Sequence, residues 1–168
     1  MQTKNYGDEK SKNLFAKALK KQGFSVDDAD NYSANGLPLP DLYGQKDGIK
    51  YKFELKQREC DSTQYGDILI SEHKLKLQSN FSKLYFVFFY TDGIGYIVNP
   101  QKQKYRLERK LTARTTRLGD YNQSYEVKAI FEQKDAQMFR FDPKLIYSEF
   151  DLELARLKRE RKQKKGGN

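Results

Sequence analysis

The run at residues 84–90, L-Y-F-V-F-F-Y, limits the fold more than any other part of the chain. Successive residues of a strand point to opposite faces of a sheet. A strand that is apolar at every position is therefore covered on both sides, as a central strand of a layered α/β domain is. Its neighbours agree. Residues 8–22 read as a helix, with Leu14, Phe15, Ala18 and Leu19 at helical spacing and Gly23 in the C-terminal cap position. Residues 24–26 read as a short strand, and 27–36 carry loop chemistry throughout. Two strands follow over 37–43 and 49–56, joined by a turn at 44–48. A polar loop spans 57–67. Residues 70–79 hold a short helix with Ser71 as its N-cap. After the central strand, Asp92-Gly93 is a two-residue hairpin signal leading into a strand over 94–98. The order helix, strand, hairpin, helix, strand gives an α/β sandwich with a mixed sheet.

The second half is less regular. Tyr125, Val127, Ala129 and Phe131 alternate along a strand, and residues 104–111 suit another. Asp142-Pro143 opens a turn. Ser148 is placed to cap a final helix, on which Phe150, Leu154 and Leu157 form a narrow stripe. No apolar residue follows Leu157, so a mobile tail is expected from Lys158 onward. The expected organisation is one domain over 1–155 and a basic tail over 156–168, with no internal repeat.

Chemistry gathers in the 39–57 stretch, L-P-D-L-Y-G-Q-K-D-G-I-K-Y-K-F-E-L-K-Q. A hairpin there brings Asp41 and Glu54 to one end of a sheet. Period-two alternation puts Glu54 and Lys56 on one face of the second strand. Two carboxylates can share a hard divalent cation, and Mg²⁺ takes oxygen ligands of this kind. Pro40 fixes the backbone before Asp41 and biases Leu39 to extended geometry. Each residue also has an ordinary role open to it. Asp41 suits an exposed turn, Glu54 a sheet edge, and Lys56 a salt bridge to either acid.

Pro40-Asp41 and Glu54-Leu55-Lys56 resemble the PD-(D/E)xK nuclease superfamily. The helix, Gly-Phe strand start, P-D and E-x-K order over residues 6–98 most resembles small Holliday-junction resolvases. The resemblance implies a restriction-endonuclease-like core: an α/β (α+β) fold with a mixed β-sheet flanked by helices, here followed by a basic C-terminal helix or tail. It implies a Mg²⁺-dependent endonuclease, with Mn²⁺ as a substitute, that leaves 5′-phosphate and 3′-hydroxyl ends. Asp41, Glu54 and the Leu55 carbonyl become metal ligands. Lys56 orients or deprotonates the attacking water or stabilises the phosphate. The superfamily often adds a carboxylate from the first helix. Asp8 and Glu9 are the candidates, with Glu9 preferred by residue type and Asp8 by helical phase. Gln57 is placed to meet substrate or a metal-bound water. A glutamine-tyrosine helix motif of some exonuclease relatives is absent, since Gln64-Tyr65 has the wrong spacing.

Charge supports a nucleic-acid partner. The net charge is +9, yet it sits in two segments. Residues 102–117 hold seven Lys/Arg against Glu108, and residues 156–165 hold seven against Glu160; the remainder is net negative. Arg114, Thr115, Thr116 and Arg117 combine guanidinium forks with hydroxyls, which suit phosphates. Arg156, Lys158, Arg159, Arg161 and Lys162 are candidates in the second segment. Tyr121 and Tyr125 could stack on bases or serve as core and surface filler, and His73, the one histidine, suits a surface helix position. Cys60 is the one cysteine, which excludes an internal disulfide and fits a reducing compartment. No Cys/His set offers a zinc site. No apolar run of 18 residues and no apolar leader is visible, so a cytoplasmic location, or wherever the intracellular DNA lies, is expected. The leading expectation is a structure-selective DNA endonuclease, acting as a homodimer if it resolves junctions. Rival readings are a restriction or repair endonuclease, a non-catalytic nucleic-acid-binding module, and a membrane-surface or scaffolding protein using its basic tail.

Overall fold

The computed structural model describes residues 6–28, 41–77, 83–115 and 121–167. Helix α1 (Tyr6–Lys21) precedes strands β1 (Ser25–Asp28), β2 (Leu42–Lys46) and β3 (Ile49–Gln57). Strand β4 (Asp67–Ser71) runs directly into helix α2 (Glu72–Leu77). Strands β5 (Leu84–Phe89) and β6 (Ile94–Val98) form a hairpin, and β7 (Arg106–Thr115) and β8 (Tyr121–Glu132) a long antiparallel pair. Strand β9 (Gln137–Arg140) and helix α3 (Glu149–Gly166) follow.

The described strands build two sheets. The larger has the order β1-β2-β3-β5-β6-β9, the smaller β4-β8-β7. Among the described strands, only β3 and β5 pair in parallel. A parallel pair needs a long crossover. Residues 58–83 supply it and carry β4 and α2 on the way. The chain is thus a mixed α/β fold whose mixed sheet is flanked by helices, the class expected from the sequence.

Both faces of the larger sheet are covered. On one side Phe15 and Leu19 of α1 pack with Leu42, Phe53, Leu55, Val87, Phe89, Ile146 and Tyr147. On the other, Ile68, Ile70, Ala129 and Phe131 of the smaller sheet pack with Leu84, Phe86, Phe88, Tyr90 and Val98. Phe86, Val87, Phe88 and Phe89 are each 1% exposed or less, alternating between the two layers. Each such side chain contributes about 1.5–3 kcal/mol of burial. That is why β5 is apolar at every position.

Several local expectations change. The β2–β3 turn is two residues, Asp47-Gly48, rather than five. Both have positive φ, 52° and 75°, as a type I′ hairpin turn requires. Gly44 therefore lies inside β2. The helix expected over 70–79 begins at Glu72, because Ile68 and Ile70 are consumed by β4 as the floor of the second core; residues 78–79 lie outside the described residues. The smaller sheet as a separate layer and β9 were not expected; β9 is short and polar, and pairs with β6. Strand β8 buries Ala129 and Phe131 but leaves Tyr125 and Val127 exposed, since its far half runs past the core.

Helix α3 departs most. It begins as expected, with Ser148 Oγ accepting the Asp151 N–H at 3.1 Å. It then continues through Gly166, where a tail was expected from Lys158. Lysine, arginine, glutamate and glutamine are good helix formers, and Arg156 bridges Glu153 and Glu160 one turn either way. The Phe150, Leu154 and Leu157 stripe is exposed rather than packed; Ala155 is buried and Leu152 joins the core instead. Its phase is set from outside the helix. Buried Tyr147 places its hydroxyl 2.7 Å from the Arg58 and Phe89 carbonyls, fixing the start. Arg159 reaches Asp61 through Nε at 2.5 Å and Nη2 at 3.2 Å, fixing the second half.

Candidate active site

The register of β3 against β5 sorts its side chains. Phe53 and Leu55 lie level with Tyr85 and Val87, on the α1 side. Glu54 and Lys56 lie level with Phe86 and Phe88, on the side of the smaller sheet and α2. Gln57 shares the phase of Leu55, so alternation turns it to the face opposite Glu54 and Lys56.

Asp41 joins this strand from just before β2. Its N–H donates to the Phe53 carbonyl at 3.0 Å. Its Oδ2 accepts the Leu55 N–H at 2.7 Å. The carboxylate takes the place of a strand partner at the edge of β3. A strand residue directs its N–H and C=O to the same side, so the Leu55 carbonyl faces the same edge as Asp41. Burial raises the Asp41 pKa from its ordinary 3.8 to about 6, and the nearby Glu54 charge adds to this. The Leu55 N–H, Lys12 and Lys56 oppose the rise without cancelling it.

Glu54 is buried and meets two amines at one oxygen. Lys74 Nζ lies 2.5 Å from its Oε1, and Lys56 Nζ 3.6 Å from the same atom. Burial lowers the Lys56 pKa, and the Lys74 ammonium lowers it further. Lys74 keeps its charge more firmly. Burial works against it, but the direct contact with Glu54 prevails and raises its pKa.

Lys12 and Lys74 were missed in the sequence. Lys12 is buried on α1 and acts on Asp41 from the α1 face. A signal existed: Lys12, Phe15 and Leu19 share one face of the helix, and a lysine on an apolar stripe is unusual. No sequence signal pointed to Lys74, since its place depends on how the crossover packs. Glu9 is half-buried one turn from Lys12; the side chain of Asp8 lies outside the described residues.

The donor set is all oxygen: two carboxylates and the Leu55 carbonyl edge. Among the described residues no three His, Cys, Asp or Glu side chains cluster as a metal site. Mg²⁺ binds through one or two carboxylates and keeps several waters, so this set fits a hard cation.

The expected nucleic-acid residues scatter. Arg114 and Thr115 end β7, opposite Asn122 and Tyr121; Thr116 and Arg117 lie outside the described residues. Arg156 is held between Glu153 and Glu160, and Arg159 by Asp61. Asp61 is itself buried and accepts the Thr91 hydroxyl at 2.7 Å. Lys158, Arg161, Lys162 and Lys165 are exposed, at helical spacing on one face of α3. Tyr125 is exposed under the Arg109 guanidinium, 4.5 Å from the ring centre. His73 is an exposed residue of α2. No helix among the described residues is long and apolar enough to cross a membrane.

No family model and no curated protein matches the chain. Solved structures do. A Holliday junction resolvase of Archaeoglobus fulgidus aligns at 14% identity and TM-score 0.46, covering 73% of this chain and 88% of that one. A bacterial homing endonuclease aligns at 11% identity and TM-score 0.42, covering 98% of this chain and 99% of that one.

Proposed function

We propose that the protein is a divalent-metal-dependent DNA endonuclease of the PD-(D/E)xK kind, selective for branched DNA. One observation carries this reading. The Asp41 carboxylate accepts the Leu55 N–H, which brings the aspartate of the P-D pair against the E-x-K strand. The two halves of the motif are thirteen residues apart in sequence yet share one sheet edge.

Asp41, Glu54 and the Leu55 carbonyl would hold the cation, with Glu9 or Asp8 as a further carboxylate. When bound, a divalent ion supplies Lewis-acid charge stabilisation and a more acidic water. The chain's own groups do the rest. The depressed pKa of Lys56 lets its amine hold or take a proton from the attacking water. As ammonium, the same group stabilises charge developing on the phosphate. Lys12 supports the ionised form of Asp41 from behind. Mg²⁺ is the ion we assign, with Mn²⁺ able to replace it. Resolving a junction takes two cuts, so the working form is a homodimer.

Labelled duplex and branched DNA, incubated with Mg²⁺, Mn²⁺ or chelator, test this directly. The wild type should cut with either metal and be silent in chelator. Asp41→Asn, Glu54→Gln and Lys56→Ala should each lose cleavage by at least about 100-fold, as expected for removing a charge-stabilising group, while retaining DNA binding. Full activity in Glu54→Gln would sink the assignment.

A further inference from the structure

The cation nearest Glu54 does not belong to the motif. Lys74 comes from α2, which follows β4 without an intervening residue. The helix is fixed from the smaller sheet: the Ser71 hydroxyl at its start pairs with Glu126, and Glu126 pairs with Lys128 at 3.0 Å. From this fixed position the lysine reaches across to β3, and its Nζ sits 2.5 Å from Glu54 Oε1. Lys56, the motif lysine, is more than an ångström farther from the same oxygen. With Lys12 beside Asp41, three amines serve two carboxylates. The pocket is therefore charge-compensated by the chain itself.

A divalent cation and an ammonium cannot both sit against one buried carboxylate oxygen without repulsion at short range. We propose that Lys74 is the resident counter-cation of Glu54, and that a divalent ion must displace its ammonium to bind. This rests on the metal-nuclease reading and adds to it a residue that sets how much metal the enzyme needs. Lys74 is a positioning residue here: it acts through Glu54. Its short helix keeps the displaced ammonium near the pocket, where substrate phosphate is its natural partner.

Calorimetric titration of Mn²⁺ into the DNA-free protein tests the competition. Lys74→Met and Lys74→Gln both remove the charge, and thermal melts confirm which of them folds. Either variant should bind Mn²⁺ about tenfold more tightly than wild type, because no fixed charge has to be moved. The metal concentration that half-saturates cleavage should fall in parallel. Lys74→Arg keeps a cation and should stay near the wild-type affinity. A purely structural lysine would give weaker metal binding in the neutral variants. Unchanged or weaker Mn²⁺ binding in folded Lys74→Met or Lys74→Gln overturns the proposal while wild-type cleavage stands. A wild type that neither binds Mn²⁺ nor cuts DNA removes the nuclease reading and this inference together.

Discussion

Asp41 is held where its ionised form is penalised. Its pKa of about 6 means the metal-free folded state binds a proton that the unfolded chain, near 3.8, has already released. Between those values the folded state binds more protons, so stability falls as pH rises. The contribution is complete below about pH 4 and gone above about pH 6, following the cited pKa values. Two pKa units correspond to roughly 2–3 kcal/mol, and partial exposure brings this toward 2. Asp41→Asn keeps an oxygen for the Leu55 N–H and has no charge to bury. Metal-free Asp41→Asn should thus unfold at higher denaturant than wild type at pH 8, and the two should converge near pH 4. The opposite order at pH 8 would show that the lysines already compensate the carboxylate in full. The same neighbourhood separates what is readable in sequence from what is not. Asp41, Glu54 and Lys56 are readable because motif spacing and strand alternation are local. Lys74 is not, because an amine twenty residues away reaches Glu54 only through tertiary packing.

The elements divide in the same way. The all-apolar run of β5 foretells its burial between two layers, since only a doubly covered strand tolerates Phe86 to Phe89 without a polar face. The separate layer of β4, β8 and β7 is not foretold, since long-range strand pairing leaves little trace in a single strand. Helix α3 shows how an external anchor defeats a periodicity argument: Tyr147 and Arg159 fix its phase, and the apolar stripe turns outward. That geometry refines the charge prediction. Arg156 and Arg159 are spent on Glu153, Glu160 and Asp61. Lys158, Arg161, Lys162 and Lys165 form an exposed stripe on one face of the helix. Replacing these four with glutamine keeps the helix formers and leaves the Arg159–Asp61 clamp in place. DNA affinity should drop on every sequence. The slope of log K against log salt should flatten by about 0.9 for each lost phosphate contact. An unchanged slope would assign this stripe to a different partner.

At the scale of the whole molecule, the two basic segments sit on different elements. One lies along β7, at the edge of the smaller sheet, and the other on the second half of α3, tied at Arg159 to Asp61 of the crossover. A single straight duplex offers its phosphates along one line and meets one such surface easily. A branched substrate sends arms in several directions and can meet both. A homodimer would present four basic segments around two candidate sites, one for each strand to be cut. The expected outcome is tighter binding to a four-way junction than to linear duplex of the same sequence, measured at one stated salt concentration with competitor DNA present. Cuts should be paired and symmetric across the junction. Neutralising the α3 stripe should narrow the preference more than it lowers linear-duplex binding, because it removes one of the two surfaces that distinct arms engage. Equal affinity for both substrates, with unpaired cuts, would overturn the branched-DNA reading. Asp41, Glu54 and Lys56 would still stand as the candidate cleavage site, since their geometry depends on the β2–β3 hairpin and not on the shape of the DNA brought to it.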